Sequence, residues 1–386
     1  MLAVNALKSG FGGIFLKEGD GLQFSQIDES YMRRALSLAE KGRGHVAPNP
    51  MVGAVLVKEG RVIGEGYHQV YGQAHAEVNA FRNATEDPQG ATLYVTLEPC
   101  SHYGKTPPCA DLIVEKKVSK VVIAMLDPNP LVAGRGVKKL EDAGIAVYSG
   151  LLEEESRKLN EVFIKFITTK RPFVFFKCAM TLDGKIATVS GQSRWISSEQ
   201  SRAQVHGMRG YYRGIMAGIG TVLADNPLLT CRTGGANPTR IIVDSRLRIP
   251  EDALVLNDDA PTLIACTHDA DEKKARRLTK GTVEVLSLPA AGGQVDPAAL
   301  LEVLGSRNID GILLEGGGTL AYSFLSAGLV DKVRFYIAPK LFGGAAAKTP
   351  VGGSGISDIS DAIELTDMTV TRCGGDIVVE GYPQRR

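Results

Sequence analysis

The chain has 386 residues, with 44 Lys and Arg against 43 Asp and Glu, for a formal net charge of +1. That length predicts two or three domains, and 44% hydrophobic with 23% charged residues belongs to a globular protein with real cores, not a disordered one. The balanced charge excludes a global pull toward nucleic acid or an anionic membrane, and no apolar run approaches the roughly 20 residues that a membrane-spanning helix needs.

The predicted elements begin after an atypical stretch. Residues 1–25 are glycine-rich, carry Lys8 and Lys17, and lack a compact apolar block or a small-residue cleavage site, so they are expected to be a loose N-terminal extension and not a secretory signal. Asp28 can cap a helix whose apolar face is Met32, Ala35, Leu36 and Ala39, ended by Gly42 and Gly44. Strands are predicted over Val52–Val57 and Arg61–Gly64, with Lys58-Glu59-Gly60 as the turn. A helix from about Ala74, a strand Thr92–Thr96, a helix from Cys109, a strand Lys120–Met125, a helix near Gly136–Ala143 and a strand Ile145–Tyr148 follow. This alternation predicts a layered α/β domain on a mostly parallel sheet. Leu151–Lys170 reads as one long helix, broken at Arg171-Pro172. The domain boundary is therefore placed there, giving domains of residues 26–170 and 171–386. Downstream, candidate strands Phe173–Phe176, Gly214–Ala217, Arg240–Asp244, Thr262–Cys266, Gly311–Leu314 and Val333–Ile337 predict a second α/β domain, with a mobile glycine-rich loop at Gly343–Gly355.

The chemistry concentrates in His75-Ala76-Glu77, Glu98-Pro99-Cys100 and Cys109. Six cysteines are too few for a disulfide scaffold in a chain this long, so a His and two Cys read better as metal ligands. Three protein ligands leave a tetrahedral zinc one open position, the arrangement of a catalytic site. Zinc lowers the pKa of a bound water toward ~7. Glu77, two residues from the His, is placed to shuttle a proton from that water to a leaving amine. This is the His-x-Glu and Pro-Cys pattern of zinc-dependent base deaminases, except that eight residues, Ser101 to Pro108, separate the cysteines where two are usual. The alternative is a pair of buried thiols and a helix-start histidine.

Asn49-Pro50-Met51-Val52-Gly53, His75-Ala76-Glu77 and the run Glu98-Pro99-Cys100-Ser101-His102-Tyr103-Gly104-Lys105-Thr106-Pro107-Pro108-Cys109 resemble the bifunctional riboflavin-biosynthesis deaminase/reductase family, in which the long cysteine spacing is the norm. Lys177-Cys178-Ala179-Met180-Thr181-Leu182-Asp183-Gly184-Lys185, Ser193-Arg194-Trp195-Ile196-Ser197 and Gly218–Pro227 resemble its reductase segments. The resemblance runs from about Gln26 to the end. It implies a three-layer cytidine-deaminase-like domain followed by a dihydrofolate-reductase-like α/β domain, with zinc and NADPH as cofactors. It implies two reactions: deamination of 2,5-diamino-6-(5-phosphoribosylamino)pyrimidin-4-one, then reduction of the ribosyl chain to ribityl. A cytoplasmic homo-oligomer without nucleic-acid or membrane partners is expected.

Carried over residue by residue, the resemblance places Glu77 as catalytic, His75, Cys100 and Cys109 on the metal, and Asn49, His68, Lys105, Asp127 and Asn129 around the deaminase substrate. Lys105 has a chemical reason to be there, as a point charge for a phosphate, although a solvated loop lysine would look the same. In the second domain Ala179, Trp195, Thr221, Asp225 and the turn Gly317, Gly318, Thr319, Leu320, Ala321, Tyr322 and Ser323 would meet NADPH. Lys177, Ser193, Arg209, Leu229, Arg232 and Glu315 would meet the reductase substrate, the two arginines as phosphate clamps. Ser245 and Arg246 could accommodate the 2′-phosphate that distinguishes NADPH from NADH. No G-x-G-x-x-G follows a strand; two glycine clusters, at Gly218–Gly220 and Gly316–Gly318, read either as a nucleotide cradle or as tight turns. Trp195 reads either as a cofactor wall or as core packing. One rival keeps the zinc chemistry on a nucleic acid or nucleoside, a second is a sensor with a decayed metal site, and a third pairs a live deaminase with a degenerate reductase.

Overall fold

A computed structural model describes residues 24–101, 107–129 and 132–384. The chain divides into two compact units between Asn160 and Glu161.

The first unit runs α1 (Gln26–Glu40), β1 (Gly53–Lys58), β2 (Arg61–Tyr67), α2 (Ala76–Arg82), β3 (Thr92–Leu97), α3 (Cys109–Glu115), β4 (Lys120–Met125), α4 (Arg135–Asp142), β5 (Ala146–Ser149) and α5 (Glu153–Leu159). Its sheet has the order β2-β1-β3-β4-β5. Alternate side chains along each strand part to two cores, as the period of two requires. Ala54, Leu56, Leu93, Val95, Val121 and Ile123 meet α2, α3 and α4, whereas Val55, Val57, Tyr94, Val122 and Ala124 meet α1. The result is a helix–sheet–helix sandwich.

Three local readings change. Ser25, not Asp28, caps α1, and Asp28 sits three residues on, closing a reciprocal capping box. The sheet is mixed and not mostly parallel: β1 pairs antiparallel with both β2 and β3, and only β3, β4 and β5 run parallel. The expected long helix is two, α5 and α6 (Glu161–Thr169). The break falls at Asn160, whose buried amide accepts from Met51 N–H at 2.8 Å and donates to Met51 O at 3.0 Å. A tertiary clamp, invisible to periodicity, ends the helix.

Glycine positions α2, the helix that carries the chemistry. A Cβ on Gly64 would lie 2.5 Å from Ala80 O, and one on Gly66 would lie 2.4 Å from Ala76 O. Both contacts are too short for any larger residue, so these glycines let the helix backbone rest directly on β2.

The second unit continues from α6 through β6 (Phe173–Thr181), α7 (Glu199–Tyr211), β7 (Gly214–Gly218), α8 (Ile219–Asp225), β8 (Thr239–Val243), β9 (Thr262–Thr267), α9 (Glu272–Leu278), β10 (Val283–Leu288), the short β11 (Ala290–Ala291) and β12 (Gln294–Val295), α10 (Pro297–Ser306), β13 (Gly311–Glu315), α11 (Gly318–Ser326), β14 (Lys332–Ala338), β15 (Leu365–Cys373) and β16 (Asp376–Pro383). Nine strands form one sheet, in the order β10-β9-β8-β7-β13-β6-β14-β16-β15. The strands from β10 to β14 run parallel, and β16 and β15 close the sheet antiparallel. One face packs on α10 and α11 through Leu300, Leu304, Ala321 and Phe324. The other packs on α8 and α9 through Ile219, Val222 and Leu278. The stretch expected as a mobile loop is tied down: Lys348 O accepts from Ile186 N–H at 2.9 Å, and Gly352 N–H donates to Gly318 O at 3.0 Å.

Candidate active sites

In the first unit His75 is the N-cap of α2, Glu77 lies in its first turn, and Cys109 opens α3. Cys100 follows the end of β3. The ligand atoms of His75, Cys100 and Cys109 lie within 4.8 Å of one another. His75 Nδ1 is 3.6 Å from Cys100 Sγ and 3.3 Å from Cys109 Sγ. Tetrahedral zinc, with Zn–S about 2.3 Å and Zn–N about 2.1 Å, sets such ligand atoms about 3.5 Å apart. Hydrogen bonds from the Cys109 thiol and His75 pull the Cys100 thiol down, while the nearness of Cys100 pushes the Cys109 thiol up. The Cys100 contact in turn raises the His75 imidazole. Spacing and donor chemistry both fit zinc.

Glu77 is 3% exposed. Burial, and then the Cys100 thiolate, lifts its carboxyl to about 7. That value leaves both protonation states accessible near neutral pH, as an acid–base residue requires. His68 lies edge-on to His75, ring centroids 5.5 Å apart. Its Nδ1 is 3.1 Å from Ala74 O, which can only accept, so the proton sits on Nδ1 and Nε2 accepts from Asn49 Nδ2 at 3.2 Å. Burial pushes the His68 imidazole down, in keeping with this neutral form. Asn49, His68 and the metal ligands therefore form one continuous wall. Asp127 and Asn129 form an Asx turn after β4, with Asn129 N–H donating to Asp127 Oδ1 at 2.8 Å. Lys105 lies outside the described residues.

In the second unit adjacency in the sheet joins what the sequence separates. Glu315, at the end of β13, and Lys177, midway along β6, are register partners. Arg209 reaches them from α7: its Nε and Nη2 donate to Glu315 Oε1 and Oε2 at 2.9 and 2.8 Å, and Lys177 Nζ is 4.0 Å from Oε2. Burial alone would raise the Glu315 carboxyl, but the Arg209 and Lys177 charges outweigh it and hold it at about 2. The Arg209 fork therefore faces a carboxylate, with Nη1 donating to Thr230 O at 3.3 Å, and is not an open phosphate clamp. Arg232 is exposed, whereas the Leu229 side chain is buried in the core. Ser193 Oγ donates to Asp225 Oδ1 at 3.3 Å.

The two glycine clusters meet. A Cβ on Gly317 would stand 3.5 Å from Gly218 N, and one on Gly316 would stand 3.0 Å from Thr221 Oγ1. Gly316 and Gly317 adopt φ of +85° and +89°, a region that favours glycine, and α11 begins at Gly318. Within the following turn Ala321 is in the core, Leu320 packs against it, the Tyr322 hydroxyl donates to Gly355 O at 2.5 Å, and Ser323 Oγ donates to Thr319 O at 3.0 Å. A ligand at this turn would meet main-chain amides more than side chains. Trp195 is 61% exposed, so it is not core packing; the Arg202 guanidinium lies 4.5 Å from its ring centroid. Ala179 packs on Tyr336 and Val378. Ser245 Oγ accepts from Val295 N–H at 3.0 Å, and Arg246 is exposed beside it.

Comparison with known proteins decides the family. Residues 172–379 match the RibD C-terminal domain, and residues 25–125 match the cytidine and deoxycytidylate deaminase zinc-binding region. The riboflavin biosynthesis protein RibD of Actinobacillus pleuropneumoniae is 49% identical over 359 residues, covering 92% of this chain and 95% of its own. The chain belongs to the RibD family.

RibD of Escherichia coli strain K12 is 41% identical over 364 residues, which span 91% of this chain and 98% of that one. A crystal structure from Thermotoga maritima, of a diaminohydroxyphosphoribosylaminopyrimidine deaminase/5-amino-6-(5-phosphoribosylamino)uracil reductase, superposes with a TM-score of 0.81 at 41% identity, covering 93% of this chain and 99% of that chain. Acinetobacter baumannii RibD gives 0.83 at 38%, with the same coverage. RibD proteins are deaminase/reductase enzymes, and this chain carries both domains and the zinc and NADPH dependence that goes with them. Its glycine turn suits the cofactor: Gly316, Gly317 and Gly318 leave the main-chain amides at the start of α11 without Cβ atoms, although Gly318 is also packed on this chain's own Thr349 O, 2.9 Å from where a Cβ would stand. Two further residues were given no role by the sequence, the buried Glu98 and the half-buried His206. Glu98 lies between Leu97, which ends β3, and the Cys100 ligand. His206, one turn before Arg209 on α7, keeps its Nδ1 buried without a partner among the described residues; burial and then the Arg209 and Arg232 charges push it down.

Proposed function

We propose that the chain carries out two consecutive steps of riboflavin biosynthesis. The first replaces the C2 amino group of 2,5-diamino-6-(5-phosphoribosylamino)pyrimidin-4-one by oxygen, releasing ammonia. The second reduces C1′ of the ring-opened ribosyl arm to give the ribitylamino product. The observation that carries the reading is a buried Glu77 on the helix turn that bears His75, beside three ligand atoms at tetrahedral-zinc spacing.

His75 Nδ1, Cys100 Sγ and Cys109 Sγ would hold zinc, which would supply the Lewis acidity that makes water nucleophilic at neutral pH. Glu77 takes a proton from the attacking water and delivers it to the departing amine. His68 keeps Asn49 oriented, so that the Asn49 amide meets the pyrimidine edge, and the Asp127–Asn129 turn closes the substrate pocket on the side of β4. Lys105 meets the phosphate.

Gly316, Gly317 and the start of α11 would hold NADPH, which would supply the hydride of the second step. Trp195, Thr221 and Asp225 line its site and Ser245 with Arg246 holds its 2′-phosphate. Arg209 orients Glu315, and Glu315 with Lys177 positions the ribosyl chain. Ser193, Arg232 and the Leu229 backbone complete the substrate pocket.

Incubation with the diaminopyrimidinone substrate, with and without NADPH, tests both halves when ammonia and cofactor absorbance are followed separately. Ammonia release without NADPH, and cofactor oxidation only after it, is the expected order.

The chain works as a cytoplasmic homo-oligomer without nucleic acid or membrane. Among the described residues no helix is long and apolar enough to cross a membrane, and the net charge of +1 gives no attraction to polyanions. The edge strand β15 supports self-association, with Met368 and Val370 55% and 66% exposed. Light scattering of the wild type and of Val370→Asp checks it.

A further inference from the structure

Glu98 is 3% exposed, yet the deamination chemistry gives it no task. Its carboxylate accepts four main-chain N–H groups. Oε2 takes those of Asp127 at 3.2 Å and Gly134 at 3.0 Å, and Oε1 takes those of Gly136 at 2.9 Å and Val137 at 3.3 Å. The last two donors lie in the first turn of α4, where a negative charge is favoured. Charge-assisted bonds of this kind are roughly twice as strong as neutral ones. The fit is close on the other side as well: a Cβ on Gly136 would stand 2.1 Å from Pro99 O. The Glu98 main chain is itself fixed, its N–H donating to Met125 O at 3.0 Å. One buried carboxylate thus joins two segments. The first, Glu98-Pro99-Cys100, bears a metal ligand; the second runs from the Asp127–Asn129 turn into α4.

We propose that Glu98 is a positioning residue for deamination, a bracket that holds the Asp127–Asn129 turn in register with the metal centre. The inference rests on the reading of that turn as part of the substrate pocket. It acts through main-chain amides and touches neither metal nor substrate.

The test is Glu98→Gln in the full chain, which keeps shape and volume but turns an NH2 toward two N–H donors. Zinc content, deaminase KM and kcat, reductase activity on the deaminated intermediate, and amide exchange of residues 127 and 134–137 are measured. The expected result is zinc content equal to wild type and unchanged reductase activity. KM rises about tenfold, with a much smaller change in kcat, and exchange of those amides quickens. Gly136→Ala is the second variant: it leaves the carboxylate intact, drives a Cβ onto Pro99 O, and should give the same KM-weighted loss. Exchange that stays slow in Glu98→Gln overturns the bracket itself. Exchange that quickens while KM stays unchanged overturns the proposal through the placement of the substrate. Zinc lost in step with activity, at unchanged KM, assigns Glu98 to metal support and also overturns it.

Discussion

Replacing Glu315 by Gln should destabilise the second unit and make the loss depend on pH. The Glu315 carboxyl falls from an ordinary 4.5 to about 2 in the folded chain. A fall of that size corresponds to about 3 kcal/mol of stabilisation at neutral pH. Because the folded value lies below the unfolded one, this contribution is complete above about pH 5.5 and is lost as pH falls toward 2. At pH 4 about 1 kcal/mol of it should already be gone. Removing one partner also leaves Arg209 and Lys177 without their counter-charge, a change that costs about 3–5 kcal/mol where pairs are buried. For a unit of about 200 residues, 3 kcal/mol corresponds to a fall in Tm of about 6–12 °C. Trp195 is the only tryptophan and lies in the second unit, so its fluorescence reports that unit selectively in urea or thermal unfolding. The wild type and Glu315→Gln are to be compared at pH 7 and pH 4. A difference under 1 kcal/mol at pH 7, or a gap of equal size at both pH values, refutes the argument.

Glu77→Gln should lower ammonia release by about 10²–10⁴-fold and leave NADPH oxidation on the deaminated intermediate intact, since general acid–base catalysis contributes on that scale; loss of both activities together would contradict the assignment. Arg246→Ala should raise KM for NADPH with little effect on KM for NADH, measured by cofactor absorbance, and an unchanged preference removes Arg246 from the cofactor site. Asn160→Ala deletes a buried amide that holds both the N–H and the O of Met51; a loss of about 2–3 kcal/mol in the stability of the first unit is expected from denaturant titration.

The metal centre was legible because its ligands sit at element starts, where sequence patterns are strong: His75 caps α2 and Cys109 opens α3. The parallel strands of the second unit were legible because, buried on both faces, they read as apolar runs. The C-terminal hairpin was not. Most of β15 is exposed on both faces, so no burial period marks it. Strand β10 was missed because Glu284 and Ser287 interrupt its apolar positions. The break at Asn160 carries no proline or glycine, and its cause lies 109 residues earlier, at Met51. Arg209 looked like a phosphate clamp from its chemistry alone; that a carboxylate 106 residues downstream occupies its fork follows only from the sheet order. Glu98 was read as part of a cysteine motif, because its four partners are main-chain amides, which carry no side-chain signature.

The sheet order of the second unit also governs how the polypeptide matures. Its first strand, β6, is flanked by β13 and β14, the earlier of which follows only after six intervening strands have been synthesised. Phe173-Val174-Phe175-Phe176 therefore emerges from the ribosome long before either neighbour exists, and non-local pairing of this kind is intrinsically slow. Such a segment, rich in β-formers and bare of charge, is an aggregation hazard while it waits. The first unit, whose sheet is complete by Ser149, has no comparable delay. Newly made chains should thus hold a finished deaminase fold while the reductase half is still collapsing, and yield on overexpression should be limited by the second half.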